Sequence, residues 1–515
     1  MLAVLSTASS AWALDTEVTA NTAAQAYELR SPFGDPLLSR RRVTQTLGLG
    51  VYDIVGDSEH PEAPQLFLKL RMRFDADFGI QDSETTYNRG DPNSRFVPGL
   101  SQAPLDLMYG YLEGKNLLGG WFGFRAGRQY VTDALGWWSF DGGMARLTAP
   151  YVHVEAYGGY EQRAGLPLST GRFERDGVWR GDRNPLTGQA DVFPMFQQAQ
   201  MAPAYGIGLE SAGPTWIHGR FDYRKVMNTG ETTTRPFVDS TGQIATTTGG
   251  TRTSSERIGY AMDVTAGEYA AAKAGVVYDL YNALFGSYYG TVDAFVTQRV
   301  TVSADYDYYR PTFDGDSIWN WFTHGPITTG TLRAGWNVTD ALDVSASAGI
   351  RWWETDDDPT AIVTANTRPP PGPGIDPYRA QDPNGTALSD PEASNPTRTK
   401  DWLGSAYGRY RWETGRAGLR GVLETGDRGK REGVDVNAEK YFEGKTYMIE
   451  GRGSVFDWTD EIRPDRSATS FGYVLGGGWQ PADYAQVVLE WEHNMNRLVG
   501  QRYRVLALLN VQVIK

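Results

Sequence analysis

The stretch QLFLKLRMRFDADF at residues 65–78 decides the fold class. Apolar side chains occupy its even positions, whereas its odd positions run from Lys69 to Asp77 with charged side chains and have Phe67 as the one apolar exception. Such alternation predicts a β-strand with one apolar and one charged face. The stretch is longer than a mean globular strand of about five or six residues. A tilted strand that crosses a membrane needs about nine to eleven residues, so a transmembrane strand is predicted.

The same alternation recurs to the end of the chain. Further examples are the segments 151–161, 215–226, 342–353, 484–494 and 502–514. Counting every such segment gives about 18 strands, within a range of about 16 to 20, and bacterial barrels are expected to have an even number. The predicted fold class is all-β, a transmembrane antiparallel β-barrel.

Connection lengths support a barrel. Short links such as 211–214 and 338–341 alternate with long polar stretches such as 162–200 and 354–399. Short periplasmic turns and long external loops have this rhythm, whereas loops above about 15 residues are uncommon in compact domains. The loop 354–399 has clustered acidic residues and prolines, and we interpret it as a solvated external loop; calcium binding and inward folding are the alternatives.

Composition excludes several classes of protein. The chain has 515 residues and no cysteine, so zinc-finger, ferredoxin and c-haem sites are excluded. No apolar run approaches the ~18 residues of a membrane helix, and the net charge of -13 argues against nucleic acid as a partner. The five histidines are scattered and no catalytic motif is present, so we predict neither an enzyme nor a cofactor.

The N-terminal sequence indicates the cellular compartment of the protein. Residues 1–13 end in Ala11-Trp12-Ala13, a small-x-small site typical of signal peptides, so we interpret them as a signal-peptide remnant. Residues 14–41 lack the alternation and are predicted to be a periplasmic N-terminal extension, with the outer-membrane β-barrel at 42–515. The predicted location is the cell outer membrane. Outer-membrane lipid and the barrel-assembly machinery are the expected partners, although the chain ends in Lys515 where an aromatic residue is common.

One segment resembles a known family. In residues 120–148 a strand that contains Gly127-Arg128-Gln129 is followed by one that contains Phe140-Asp141-Gly142. This pairing resembles the porins of the alginate-export type. The resemblance implies a monomeric barrel of about 18 strands that carries anionic polysaccharide or small anions through an arginine-rich lumen.

The polar parity of each strand would line the pore if the apolar parity faces lipid. The predicted pore-lining residues are Lys69, Arg71, Arg73, Asp75, Asp77, Arg125, Arg220, Arg224, Arg351, Arg409, Arg411 and Arg452. Arginine ladders select anions because fixed guanidinium groups offset dehydration of a passing carboxylate or phosphate. The alternative is a set of structural ion pairs that brace the wall. Both signs of charge are present, so a mixed and weakly selective lumen is predicted.

Three functions follow from these patterns. The first is a porin for passive diffusion of small hydrophilic solutes, with anions among them. The second keeps the fold and exports an acidic polysaccharide, as the resemblance implies. The third is a barrel that serves as a scaffold or sheath with an occluded lumen.

Overall fold

The structure is a computed structural model. It describes residues 14–55, 62–77, 105–162, 178–183, 190–192, 202–228, 237–238, 244–245, 251–312, 325–354, 398–460, 467–497 and 500–514. The predicted signal-peptide remnant, Lys515 and nearly all of the loop 354–399 lie outside these residues. The described residues contain no helix that is both long and apolar enough to cross a membrane.

Strands make up almost all of the described chain. They are β1 (Thr16–Arg30), β2 (Pro36–Val55), β3 (Gln65–Asp77), β4 (Leu105–Leu117), β5 (Phe122–Asp133), β6 (Gly136–Thr148), β7 (Val152–Glu161), β8 (Val178–Arg183), β9 (Ala190–Val192), β10 (Pro203–Ser211), β11 (Ile217–Asn228), β12 (Phe237–Val238), β13 (Ile244–Ala245), β14 (Arg252–Ala266), β15 (Ala270–Asp279), β16 (Leu284–Thr297), β17 (Val300–Tyr309), β18 (Ile327–Asn337), β19 (Leu342–Glu354), β20 (Arg398–Trp412), β21 (Gly415–Gly426), β22 (Gly429–Phe442), β23 (Tyr447–Asp460), β24 (Ala468–Ala482), β25 (Ala485–Asn496) and β26 (Gly500–Ile514). A short 3-10 turn, Glu443–Lys445, joins β22 to β23.

The sheet closes on itself. Twenty-two strands form one antiparallel sheet, and the short pairs β8–β9 and β12–β13 stand outside it. The first strand pairs with β2 on one side and with β26 on the other, from Glu17 opposite Ile514 to Arg30 opposite Gln501. A closed sheet has no free edge, which satisfies the backbone of a membrane-spanning β-protein. The predicted all-β barrel is confirmed, with 22 strands rather than about 18.

The N-terminal boundary is corrected by the structure. Residues 14–41 were predicted to be an extension, but Thr16–Arg30 is β1 and β2 begins at Pro36. The pattern failed because β1 has small residues on both faces: Ala20 and Ala24 lie on one, Thr19 and Ala23 on the other. A strand is recognised from sequence by the difference in hydrophobicity between its two faces. Alanine and threonine differ little in hydrophobicity, so β1 shows little such difference.

Large apolar side chains cover the outer face of the barrel. Leu332, Leu475 and Leu489 each expose more than half of their surface. Aromatic residues lie at both ends of the strands on this face, with Trp121 and Trp336 near the end that holds the chain termini. An exposed apolar band between two aromatic belts is typical of a lipid-facing barrel wall.

Candidate functional site

The inner face is identified by contacts that skip a strand. Arg71 on β3 donates to Asn21 on β1 at 3.2 Å, with β2 between them. Arg351 on β19 similarly reaches Glu424 on β21 at 2.8 Å. Side chains of alternate strands converge on the concave side of a closed sheet and diverge on its convex side. These two contacts place Arg71 and Arg351 on the concave side of the sheet.

Predicted arginines on the β19–β25 side of the lumen are bound to carboxylates. Arg409 and Arg411 both bind Asp343, at 2.7 and 3.1 Å. Arg452 binds Glu490 at 3.0 Å across one intervening strand. These arginines keep 36–51% of their side chains exposed, so each pair contributes at most about 1 kcal/mol to stability. Asp343 cancels one of the two charges of Arg409 and Arg411, and Glu490 cancels that of Arg452, so the charge offered to a solute is reduced.

A denser network lies on β6–β11. Arg220 binds Glu155 at 2.8 Å, Asp222 at 3.0 Å and Glu210 at 3.3 Å. Arg146 joins the same group by bonding to Glu210 at 3.0 Å. Two guanidinium groups thus face three carboxylates, which makes this stretch of wall acidic rather than basic. The predicted Arg125, on β5, is bound to a different partner, Glu113 at 3.2 Å.

The predicted cations of β3 are held differently. Lys69 Nζ lies 5.5 Å from the ring centroids of both Tyr52 and Phe67. Among the described residues neither Lys69 nor Arg71 has a carboxylate partner. Arg73, the third cation of β3, is buried, with 7% of its surface exposed. Cation–π contacts of this kind leave the charge in place. Asp75 and Asp77 belong to β3 by their backbone, and their side chains lie outside the described part of the chain.

The tip of the β5–β6 hairpin folds into the lumen, which the sequence did not predict. Arg224 on β11 lies 3.6 Å from Asp133 and donates to the carbonyl oxygen of Leu135 at 3.3 Å. The backbone N–H of Ala134 donates to Asp222 at 3.0 Å. Strands β7 and β10 lie between β6 and β11, so the tip reaches across the concave wall. Asp133 is fully buried and Arg224 is 7% exposed, which makes this a buried ion pair.

The tip also approaches β14. A Cβ atom at Gly259 would lie 2.8 Å from Leu135 Cδ2 and 3.1 Å from Ala134 Cβ. Apolar packing supports the same arrangement, since Val131, Trp138 and Phe140 of the hairpin form a buried cluster with Tyr157 and Val226 of the wall. Burial of this cluster and the Asp133–Arg224 pair together fix the tip inside the barrel.

Sequence reasoning did not predict which carboxylates bind these arginines. The carboxylates that bind the predicted arginines include Glu113, Asp133, Glu210, Asp343 and Glu424. Strand parity was available as a signal for Asp343 and Glu424. The pairing itself depends on register between strands far apart in sequence, which parity does not give. Among the described residues, no group of three or more histidine, aspartate or glutamate side chains is arranged to hold a metal ion.

Comparisons with known proteins add structural likenesses only. No family model matches the chain, and no curated protein matches it. Among solved structures, Acinetobacter baumannii OccAB4 is similar at 6% identity and a TM-score of 0.42, over 98% of this chain and 98% of that one. Pseudomonas aeruginosa OccK7 (OpdD) is similar at 8% identity and a TM-score of 0.40, over 97% and 98%. Pseudomonas aeruginosa OpdK with vanillate is similar at 9% identity and a TM-score of 0.41, over 98% and 99%.

Proposed function

We propose that this chain is a channel of the cell outer membrane that passes small hydrophilic solutes by passive diffusion. One observation carries the proposal: a closed barrel of 22 strands has an apolar outer face and an inner face rich in charge. A charged inner face needs water, and an apolar outer face needs lipid. A wall with both is suited to hold an aqueous path across a membrane.

The size of the barrel is adequate for solutes. With strands about 4.8 Å apart and tilted by about 40°, a round barrel of 22 strands has a backbone diameter of about 44 Å. Side chains take up about 5 Å on each side, half of the ~10 Å between packed sheets. About 34 Å then remains before the β5–β6 tip narrows the lumen from one side.

Lumenal charge favours weak selectivity. The predicted arginines on β19–β25 share their charge with carboxylates, whereas Lys69 and Arg71 retain theirs toward the lumen. A passing anion therefore meets a local attraction on β3, a weakly charged wall on β19–β25 and an acidic stretch on β6–β11. We infer a mild preference for anions in a lumen that also admits neutral solutes and cations.

Planar-bilayer recording tests both statements. The purified barrel should give discrete conductance steps, and a salt gradient should give a reversal potential on the anion side. Replacing Lys69 and Arg71 by glutamine should move that potential toward zero. The matched control replaces Arg351 and Glu424, which bind each other, together by glutamine. This removes one charge of each sign and should leave the potential unchanged. Absence of conductance contradicts the channel, and a cation preference contradicts the role of β3.

The structure gives the acidic-polysaccharide alternative no added support. The residues that carry the resemblance lie in the wall: Arg128 and Asp141 pair on the outer face, while Gln129 and Phe140 are fully buried. None of these four side chains is presented to a solute in the lumen. The sheath alternative predicts no conductance, so the same recordings separate it from the channel.

A further inference from the structure

Among the described residues, the backbone ladder between β4 and β5 ends before the two strands do. In the described register their last backbone pair is Gly110 opposite Arg128, although β4 continues to Leu105 and β5 to Asp133. Each strand keeps its other neighbour over this stretch, since β3 pairs with β4 as far as Leu105 and β5 pairs with β6 as far as Asp133. Two strand edges thus face each other without a ladder above the pair Gly110 and Arg128.

The gap follows from the inward bend of the β5–β6 hairpin. Gly127 has a φ of 123°, in the region that favours glycine, and a Cβ atom there would collide with the carbonyl oxygen of Gly110. Beyond this glycine β5 leads to the tip that is anchored inside the barrel by Arg224. Strand β4 stays with β3 in the wall, so the two strands part at Gly127.

Side chains, rather than backbone bonds, fill the gap. Arg128 donates to both carboxylate oxygens of Asp141 at 2.7 and 2.9 Å, and its third nitrogen donates to the carbonyl oxygen of Leu107 at 2.9 Å. Above it the rings of Tyr109 and Tyr130 meet at 5.7 Å and bridge the two strands. Rotation of these two rings opens the wall without breaking any strand ladder.

The gap joins two apolar surfaces. At the upper end of the gap Tyr130 contacts Trp137, which is 56% exposed. On the inside Tyr111 is only 6% exposed and carries Arg125 4.7 Å above its ring. Aromatic rings thus run along the gap from Tyr111 through Tyr109 and Tyr130 to Trp137, and Arg71 of β3 lies opposite Tyr109 in the sheet. An alkyl chain can follow the rings while an anionic head group stays near the cations.

We propose that the gap between β4 and β5 is a side port that passes single-chain amphiphiles with an anionic head group between the lumen and the outer leaflet. This lateral route is distinct from axial diffusion of hydrophilic solutes. The aromatic lining favours the alkyl chain of such an occupant, and the cations of β3, Lys69 and Arg71, favour its anionic head group on the lumenal side.

A cross-link tests the port. The chain has no cysteine, so the double variant Tyr109→Cys with Tyr130→Cys can be bridged by a short cleavable bis-thiol reagent. The matched control is Tyr205→Cys with Tyr223→Cys, whose rings lie 6.2 Å apart on β10 and β11, where the ladder is continuous. The probe is a fluorescent twelve-carbon alkyl sulfonate added outside vesicles that contain the barrel, and its protection from dithionite reports transfer.

The bridged port variant should transfer the probe at least tenfold more slowly than its unbridged form, and cleavage of the bridge should restore the rate. Its single-channel conductance and the transfer by the bridged control should not change. A second variant, Tyr130→Ala, should speed transfer severalfold without any cross-link. Equal transfer with and without the bridge, or equal slowing in the control, overturns the port. A barrel that transfers the probe but conducts no ions supports the port and contradicts the channel.

Discussion

The buried pair of Asp133 and Arg224 gives the sharpest prediction about the lumen. Arg224→Met keeps the side chain's packing over Trp138 but removes the ion pair and the hydrogen bond to the Leu135 carbonyl oxygen. Truncating one partner of a buried pair costs about 3–5 kcal/mol. The contacts that remain are the bond from Ala134 to Asp222, which contributes about 1.5–3 kcal/mol, a long bond from the Tyr157 hydroxyl to Asp133, and the apolar cluster. We therefore expect the tip to leave the wall in a much larger fraction of molecules.

A thiol under the tip measures that fraction. Val226 is 1% exposed within the cluster of the tip and the wall, so a Val226→Cys thiol reacts with a polar maleimide only when the tip lifts. A loss of about 3 kcal/mol, at about 1.4 kcal/mol per tenfold, raises the labelling rate about 150-fold. Adding Asp133→Asn should reverse most of the increase because no buried charge is then left alone. Arg351→Met, which breaks a more exposed pair elsewhere, is the control. A rate within threefold of the parent refutes the latch.

Two further predictions concern single residues. Asp343→Asn removes the carboxylate that Arg409 and Arg411 bind and so frees positive charge. An ion that passes about 5 Å from one freed charge gains or loses about 0.4 kcal/mol after screening, so the anion-to-cation permeability ratio should rise by up to about fourfold. An unchanged reversal potential would contradict this prediction. Gly127→Ala forces a side chain onto a φ of 123° against the Gly110 carbonyl oxygen and should lower the free energy of unfolding in urea by about 1–3 kcal/mol, whereas Gly408→Ala, with open space around its Cβ, should change it much less.

Strand alternation predicted the fold because one face of a barrel wall contacts lipid and the other contacts water. Segments such as 65–78 and 342–353 carry large apolar residues toward lipid and charges toward water, so both became strands in the structure, β3 and β19. The count failed where this contrast is weak. In β1 small residues serve both faces. A single-layer wall tolerates small residues on both faces, and the sequence then shows little alternation between apolar and polar positions.

For the candidate site, the sequence predicted which face of each strand its residues occupy, but not which residues bind each other. Parity predicted that Arg351 and Arg409 face the lumen, and in the structure Arg351 binds Glu424 and Arg409 binds Asp343. It gave no information on Glu424 two strands away from Arg351, because a contact that skips a strand depends on the curvature of the closed sheet. The inward tip was equally hidden: its turn between Asp133 and Gly136 is short, and the prediction had looked for inward folding in the long loop 354–399.

The inward bend of β5 couples the width of the lumen to the gap between β4 and β5. Tip contacts with β11 and β14 draw the upper part of β5 inward, and β4 cannot follow because it stays hydrogen-bonded to β3 as far as Leu105. Narrowing of the lumen and opening of the wall are therefore coupled. If Arg224→Met releases the tip, β5 is free to return toward β4, so the variant that widens the lumen should also close the side port. Faster labelling at position 226 together with slower transfer of the alkyl sulfonate would establish that coupling, whereas faster labelling with unchanged transfer would separate the two features.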